Sequence, residues 1–120
     1  MTRHEAVSDV LVRQIRAFRA RRDLTMAELA AECARLGAPH MTMSTIANIE
    51  RGLTSKRRRR DVSVDELMVL AAALGVAPML LVVPLGTGDP VEYVPGVALS
   101  PADAARWFVG DVGPFLGESA

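Results

Sequence analysis

The chain has 120 residues and half of them are hydrophobic, which is enough for one compact core. Its longest apolar run, Val76–Leu85, is interrupted by prolines and is too short for a transmembrane helix, and we recognise no signal peptide at the N-terminus. A single cysteine, Cys33, excludes a disulfide framework and a cysteine-based zinc site within one chain. We therefore expect a cytoplasmic protein that has no metal, no other cofactor and no association with membranes.

Charge is distributed unevenly along the chain, although the formal total is zero. Residues 1–60 contain 13 Lys and Arg against 6 Asp and Glu, so 13 − 6 = +7, and residues 61–120 contain 1 against 8, so 1 − 8 = −7. This asymmetry indicates that the first half of the chain binds a polyanion. From charge alone, a solvated surface with two opposite poles is the alternative.

Two helices are predicted at the start of the chain. The first runs from about Glu5 to Arg22, because apolar residues recur in it at spacings of four and three. The second begins at Thr25, which forms a capping box with Glu28, and it stops at Gly37. Small residues along the second helix allow a neighbouring helix to approach closely.

A third, short helix is predicted from about Met43 to Arg51, and its two faces differ in chemistry. At about 100° per residue, Ile46 and Ile49 point to one side. The opposite side carries small, hydrogen-bonding and cationic groups, namely Ser44, Ala47, Asn48 and Arg51. For an isolated helix, an ordinary polar surface would be the simpler interpretation.

A basic loop and two further helices are predicted next. The loop, Leu53–Asp61, contains five adjacent cations that repel one another and need a counter-charge: Lys56, Arg57, Arg58, Arg59 and Arg60. The fourth helix begins at Ser63, which forms a second capping box with Glu66, and it ends at Gly75. A short fifth helix covers Pro78–Val82.

The sequence changes in character after Leu85. Val91–Val94 and Val97–Leu99 are predicted to form a weak hairpin, and a short helix follows from Pro101. We therefore expect residues 1–84 to form the main domain and residues 85–120 to form a C-terminal extension. The apolar residues of the extension predict a dimerisation or partner-binding segment, and folding back onto its own core is the alternative.

Three stretches carry a resemblance to a known family: Leu24–Ala30, Ser44–Gly52, and the segment from Asp65 to Val76. Together they resemble the Cro and phage-repressor class of helix-turn-helix regulators, also called the xenobiotic-response-element family, over roughly residues 8–84. The resemblance implies an all-α, compact five-helix repressor-like domain. It also implies that the third helix enters the major groove of duplex DNA.

The sequence departs from the family pattern in two places. The connection Ala34–Met41, between helices two and three, is several residues longer than usual. Met26 stands where the family often has a glutamine that contacts the DNA backbone, and a methionine cannot make that hydrogen bond. We therefore do not assign that contact to this chain.

The resemblance assigns site residues by their positions in the motif. The bases would be contacted by Met43, Ser44, Ala47 and Asn48, and Asn48 can bind adenine through both N6 and N7. The phosphates would be contacted by Thr25, Arg51, Lys56, Arg57, Arg58, Arg59 and Arg60. Glu50 lies toward the apolar side of the third helix and therefore needs a partner. The family motif pairs it with an arginine of the first helix, which here is Arg19, as a structural ion pair.

These assignments predict a sequence-specific transcriptional regulator, a repressor that binds double-stranded DNA as a homodimer. The alternative is a protein-interaction module, similar to an antitoxin or an adaptor, that uses the C-terminal extension and binds DNA only secondarily. We expect no enzymatic activity, because the sequence contains no nucleophile-base-acid set and no phosphate-cradling glycine loop.

Overall fold

The computed structural model describes residues 4–51 and 60–111 of the chain. Within these ranges it contains six helices and three strands: β1 Glu5–Ala6, α1 Val7–Arg21, α2 Met26–Arg35, α3 Met43–Arg51, α4 Val64–Leu74, α5 Met79–Val82, β2 Val91–Val94, β3 Val97–Leu99 and α6 Pro101–Phe108. The fold is therefore mixed α/β. The prediction of an all-α fold with a compact five-helix domain is wrong.

The predicted and observed folds differ at the first element of the chain. Glu5 and Ala6 were predicted to begin the first helix, but they form β1, which pairs in parallel with β2. β2 pairs with β3 in the antiparallel direction, so the strand order is β1-β2-β3. An isolated hairpin is only marginally stable in water. β1 therefore supports the β2–β3 hairpin and connects it to the start of α1.

The helix boundaries follow local hydrogen-bonding patterns. The predicted capping boxes of Thr25 with Glu28 and of Ser63 with Glu66 are both present, and they begin α2 and α4. Ser100 accepts a hydrogen bond from the backbone N–H of Asp103 and so caps α6. Such caps satisfy backbone donors that the helix itself leaves unpaired.

One apolar core connects the helices. α1 packs against α5, α3 and α4, and α2 packs against α3 and α4. The largest fully buried side chains of these helices are Val10, Val12, Ile15, Leu29, Ile46, Ile49, Leu70, Leu74 and Leu81. Cys33 is buried among them, and this burial raises the pKa of its thiol, as expected of a small structural cysteine.

The C-terminal segment contacts this core. Leu99 of β3 and Ala104 of α6 are buried in the same cluster as the helical residues. The hydroxyl of Tyr93 donates a hydrogen bond to the carbonyl oxygen of Val82. The ring of Tyr93 also meets Trp107 and Phe108 edge-on, with centroids 6.5 and 6.0 Å away. Residues 91–108 thus fold onto the core of their own chain.

Candidate nucleic-acid interface

α3 has one buried face and one exposed face. Ile46 and Ile49 are buried in the core, where α3 packs against α1 and α2. Among the predicted base-contacting residues, Met43, Ser44 and Asn48 are exposed and Ala47 is half-buried. The structure therefore places three of the four on a surface that a ligand can reach, while Ala47 lies closer to the protein.

An ion pair fixes the C-terminal end of α3 to α1. Arg19 Nε and Nη2 donate to the two carboxylate oxygens of Glu50 at 2.8 and 2.9 Å, and Nη1 donates to the carbonyl oxygen of Leu24 at 2.9 Å. The Glu50 side chain is only 4% exposed. These hydrogen bonds raise the pKa of Arg19. The two residues that we expected to pair therefore lie together, in a bidentate geometry that restricts rotation of α3.

A second arginine near this pair was not expected from the sequence. Arg16 Nε lies 3.9 Å from a carboxylate oxygen of Glu50, and about half of the Arg16 side chain, 49%, is exposed. Arg16 precedes Arg19 by three residues, so both lie on the same face of α1. That spacing was the signal that could have identified it.

The long connection between α2 and α3 is packed rather than solvated. Ala38 and Met41 are buried in the core, although they belong to no helix. The Thr42 hydroxyl accepts a hydrogen bond from the backbone N–H of Thr45, and the Thr45 hydroxyl donates to the carbonyl oxygen of His40. The additional residues therefore hold the start of α3 in place.

At the start of α2, Thr25 is exposed and its neighbour Met26 is not. The Thr25 hydroxyl oxygen accepts from the backbone N–H of Glu28, and its hydrogen can still be donated to a phosphate. Met26 is half-buried and packs against the core. Met26 therefore contributes apolar packing at the start of α2.

Of the five cations in the basic loop, Arg60 lies within the described residues, and Lys56, Arg57, Arg58 and Arg59 lie outside them. Arg60 donates to both carboxylate oxygens of Glu66, at 3.1 and 2.8 Å. His40 Nε2 lies 3.5 Å from the same carboxylate. The structure thus brings Arg60 to the start of α4, where it has a counter-charge. The sequence indicated that a counter-charge was required, but not that Glu66 would supply it.

Glu66 makes more polar contacts than an ordinary helix cap. It accepts from the backbone N–H of Ser63 as well as from Arg60, and these interactions lower the pKa of its carboxyl to about 2, with the Arg60 hydrogen bonds as the largest cause. A lowered pKa in the folded state stabilises the fold above the ordinary pKa of 4.5, and this stabilisation is lost as the pH falls toward 2.

We therefore expect Glu66→Gln to lower the free energy of unfolding by about 2 kcal/mol at neutral pH, allowing for the partial solvent exposure of Arg60. The glutamine keeps an acceptor for Ser63 and removes the charge. Urea titrations should show the difference from the wild type shrinking between pH 4.5 and pH 2. Glu28→Gln, in the equivalent capping box of α2, is the control and should cost less than about 1 kcal/mol. Equal effects of the two substitutions at pH 7 would contradict this account.

Other arginines of the first half are also engaged by carboxylates or by aromatic rings. Arg13 pairs with Glu5 of β1, and Arg35 pairs with Glu32 on the exposed side of α2. The guanidinium of Arg21 lies 5.0 Å from the ring centroid of Phe18. Both ion pairs join residues of the first half, whose acidic residues the net charge of +7 already subtracts, so they leave the excess of positive charge unchanged. Any attraction for a polyanion depends on the remaining cations.

Within residues 4–51 and 60–111, no group of three His, Cys, Asp or Glu side chains is placed to hold a metal ion. No helix in these ranges is both long enough and apolar enough to cross a bilayer. No protein-family model matches the chain, and comparisons with curated proteins and with solved structures found no match.

Proposed function

We propose that this protein is a sequence-specific regulator of transcription that binds duplex DNA with the exposed face of α3. The observation that carries the proposal is the division of this helix: Ile46, Ile49 and Glu50 anchor one face, while Ser44 and Asn48 are exposed on the other. The major groove of B-DNA admits an α-helix, and short polar side chains reach the base edges there.

The chemistry of the exposed face supports direct contact with bases. Asn48 offers both a donor and an acceptor, which suits the N7 and N6 groups of adenine. Ser44 can bond to several bases, and the exposed Met43 can contact a thymine methyl group. This set has few hydrogen-bonding groups, so the proposal includes a contribution of DNA shape to specificity.

The phosphate contacts would come from the start of α2, from the end of α3 and from the basic segment that follows α3. Thr25 lies at the exposed start of α2 and Arg51 at the exposed end of α3, and the cations Lys56–Arg59 follow along the chain. Arg60, also assigned to phosphate, is paired with Glu66 of α4. Phosphate contacts position such a protein without specifying sequence.

A single α3 covers only a few base pairs, so the proposed regulator acts as a homodimer on a two-fold related site, as a repressor. Regulation of this kind requires access to DNA, and we propose the cytoplasm as its location.

The test begins with selection of bound sequences from random duplex DNA by the full chain. Asn48→Ala should then cost about 1–3 kcal/mol on the selected site and much less on random DNA. For the wild type, the log–log salt slope should be steeper than about −3, since each neutralised phosphate contributes about −0.9. Titrations of both proteins on both DNAs at several salt concentrations measure these quantities.

Arg106→Ala is the matched control, because Arg106 is an exposed arginine of α6 that pairs with Asp111. It should leave both affinities unchanged. Equal losses by Asn48→Ala on the selected and the random DNA would show that α3 does not contact the bases. The absence of salt-dependent binding would refute the polyanion proposal altogether.

Exposed apolar groups at the end of α6 favour a second candidate function. Phe108 is 45% exposed beside the ring of Trp107, and Val109, next along the chain, is more exposed still. A protein-interaction module would use such groups to bind a partner. Sedimentation of the purified chain, alone and with the selected DNA site, distinguishes the candidates. The regulator should form a stable complex with that site, whereas the interaction module, which binds DNA only secondarily, should not.

A further inference from the structure

The side chains of Asn48 and Arg51 are joined on the exposed face of α3. Arg51 Nη1 donates a hydrogen bond to Asn48 Oδ1 at 2.8 Å. The residues are three positions apart, so their side chains are neighbours on the helix surface. The donor carries a permanent charge, which makes this bond stronger than one between two neutral groups.

The chemistry of arginine determines which end of the Asn48 amide faces it. A guanidinium has only donors, so the amide atom at 2.8 Å must be the oxygen and not the nitrogen. The Nδ2 amino group then lies on the side of the amide away from Arg51. No residue in the described part of the chain forms a hydrogen bond with Nδ2. The amide therefore has a defined orientation before any ligand is bound.

A defined orientation matters for base recognition. To bind adenine through two hydrogen bonds, an asparagine must present Oδ1 to N6 and Nδ2 to N7 at the same time. Because Oδ1 has two lone pairs, it can accept from Arg51 and from N6 together. Holding the amide in advance reduces the entropy lost when DNA binds.

We infer that Arg51 is a positioning residue, which orients the Asn48 amide toward an adenine in the major groove and thereby contributes to specificity. This inference rests on the proposed function and adds to the phosphate contact expected of Arg51. A phosphate contact alone would strengthen binding to all DNA equally. A positioning role instead changes the ratio of the affinity for the selected site to the affinity for random duplex.

Two substitutions separate these roles in the full chain. Arg51→Met and Arg51→Gln both remove the charge, and only the glutamine keeps an N–H donor for Asn48 Oδ1. Each should reduce the salt slope by about one unit. Arg51→Met should lower the affinity ratio by about fivefold to tenfold, whereas Arg51→Gln should keep it within about twofold of the wild type. Circular dichroism verifies that both variants keep the helix content of the wild type.

Combination with Asn48→Ala completes the test. In the Asn48→Ala background, Arg51→Met should not lower the affinity ratio further, because there is no amide left to orient. An unchanged ratio in Arg51→Met, or a further independent loss in the double variant, would overturn the inference. If Asn48→Ala itself leaves the ratio unchanged, the proposed function fails and the inference fails with it. If Asn48→Ala lowers the ratio and Arg51→Met does not, the inference alone fails.

Discussion

Arg19→Met is expected to lower the free energy of unfolding by about 3–5 kcal/mol, because it leaves the Glu50 carboxylate buried without its main partner. Glu50 is 4% exposed, and Arg19 supplies two of its hydrogen bonds. Arg16 is a further cation near Glu50, and its Nε lies 3.9 Å from the carboxylate. The substitution keeps a long apolar side chain, so the loss of charge dominates the effect. Urea titration at pH 7 measures it.

A double-mutant cycle shows whether this cost belongs to the pair. In Arg19→Met/Glu50→Gln no buried charge remains, so the double variant should be more stable than the sum of the single effects implies. The matched control is Arg35→Met, which breaks the exposed pair with Glu32 and should cost less than about 1 kcal/mol. Additive effects of the substitutions at 19 and 50 would contradict the proposed buried pair.

Leu99→Ala is expected to destabilise the protein by about 2–4 kcal/mol, because it opens a cavity between the C-terminal segment and the helical core. Leu99 is 4% exposed and belongs to the same buried cluster as the residues of α1 and α4. Val97→Ala, in the same strand, is the control. Val97 is 37% exposed, so its truncation should cost less than about 1 kcal/mol.

Urea titration measures the cost of Leu99→Ala. The same titration shows whether the C-terminal extension unfolds together with the helices. Trp107 is the single tryptophan of the chain and lies in α6, so its fluorescence reports on the C-terminal segment. Far-ultraviolet circular dichroism is dominated by α1 to α4. Coincident transitions by the two probes would indicate one cooperative unit, as the shared core predicts. A fluorescence transition at lower urea would instead show that the extension unfolds by itself.

The candidate site could be predicted from the sequence where its pattern is local. The 3.6-residue period separates Ile46 and Ile49 from Ser44 and Asn48, and the structure keeps this division. The hydrogen bond between Arg51 and Asn48 follows from the same spacing but was not predicted. A spacing of three brings two side chains near each other, and the rotamers that join them depend on the surrounding surface.

The sequence by itself determined the features that depend on neighbours three or four residues apart. These are the capping boxes at Thr25 and Ser63, the amphipathic α3, and the hairpin turn between β2 and β3. In each case the residues that interact lie close together in the chain.

Only the tertiary structure decided the contacts between distant segments. Glu5 and Ala6 carry no signal for a strand, and they form one because β2 offers them an unpaired edge. Glu66 is approached by His40 from the α2–α3 connection as well as by Arg60, and the assignment of Arg60 to phosphate stays a prediction. Val91, Leu99 and Ala104 are buried because α1 and the neighbouring helices leave apolar surface for them to cover. Backbone pairing and burial depend on which surfaces the other elements leave open, and local sequence patterns do not contain that information.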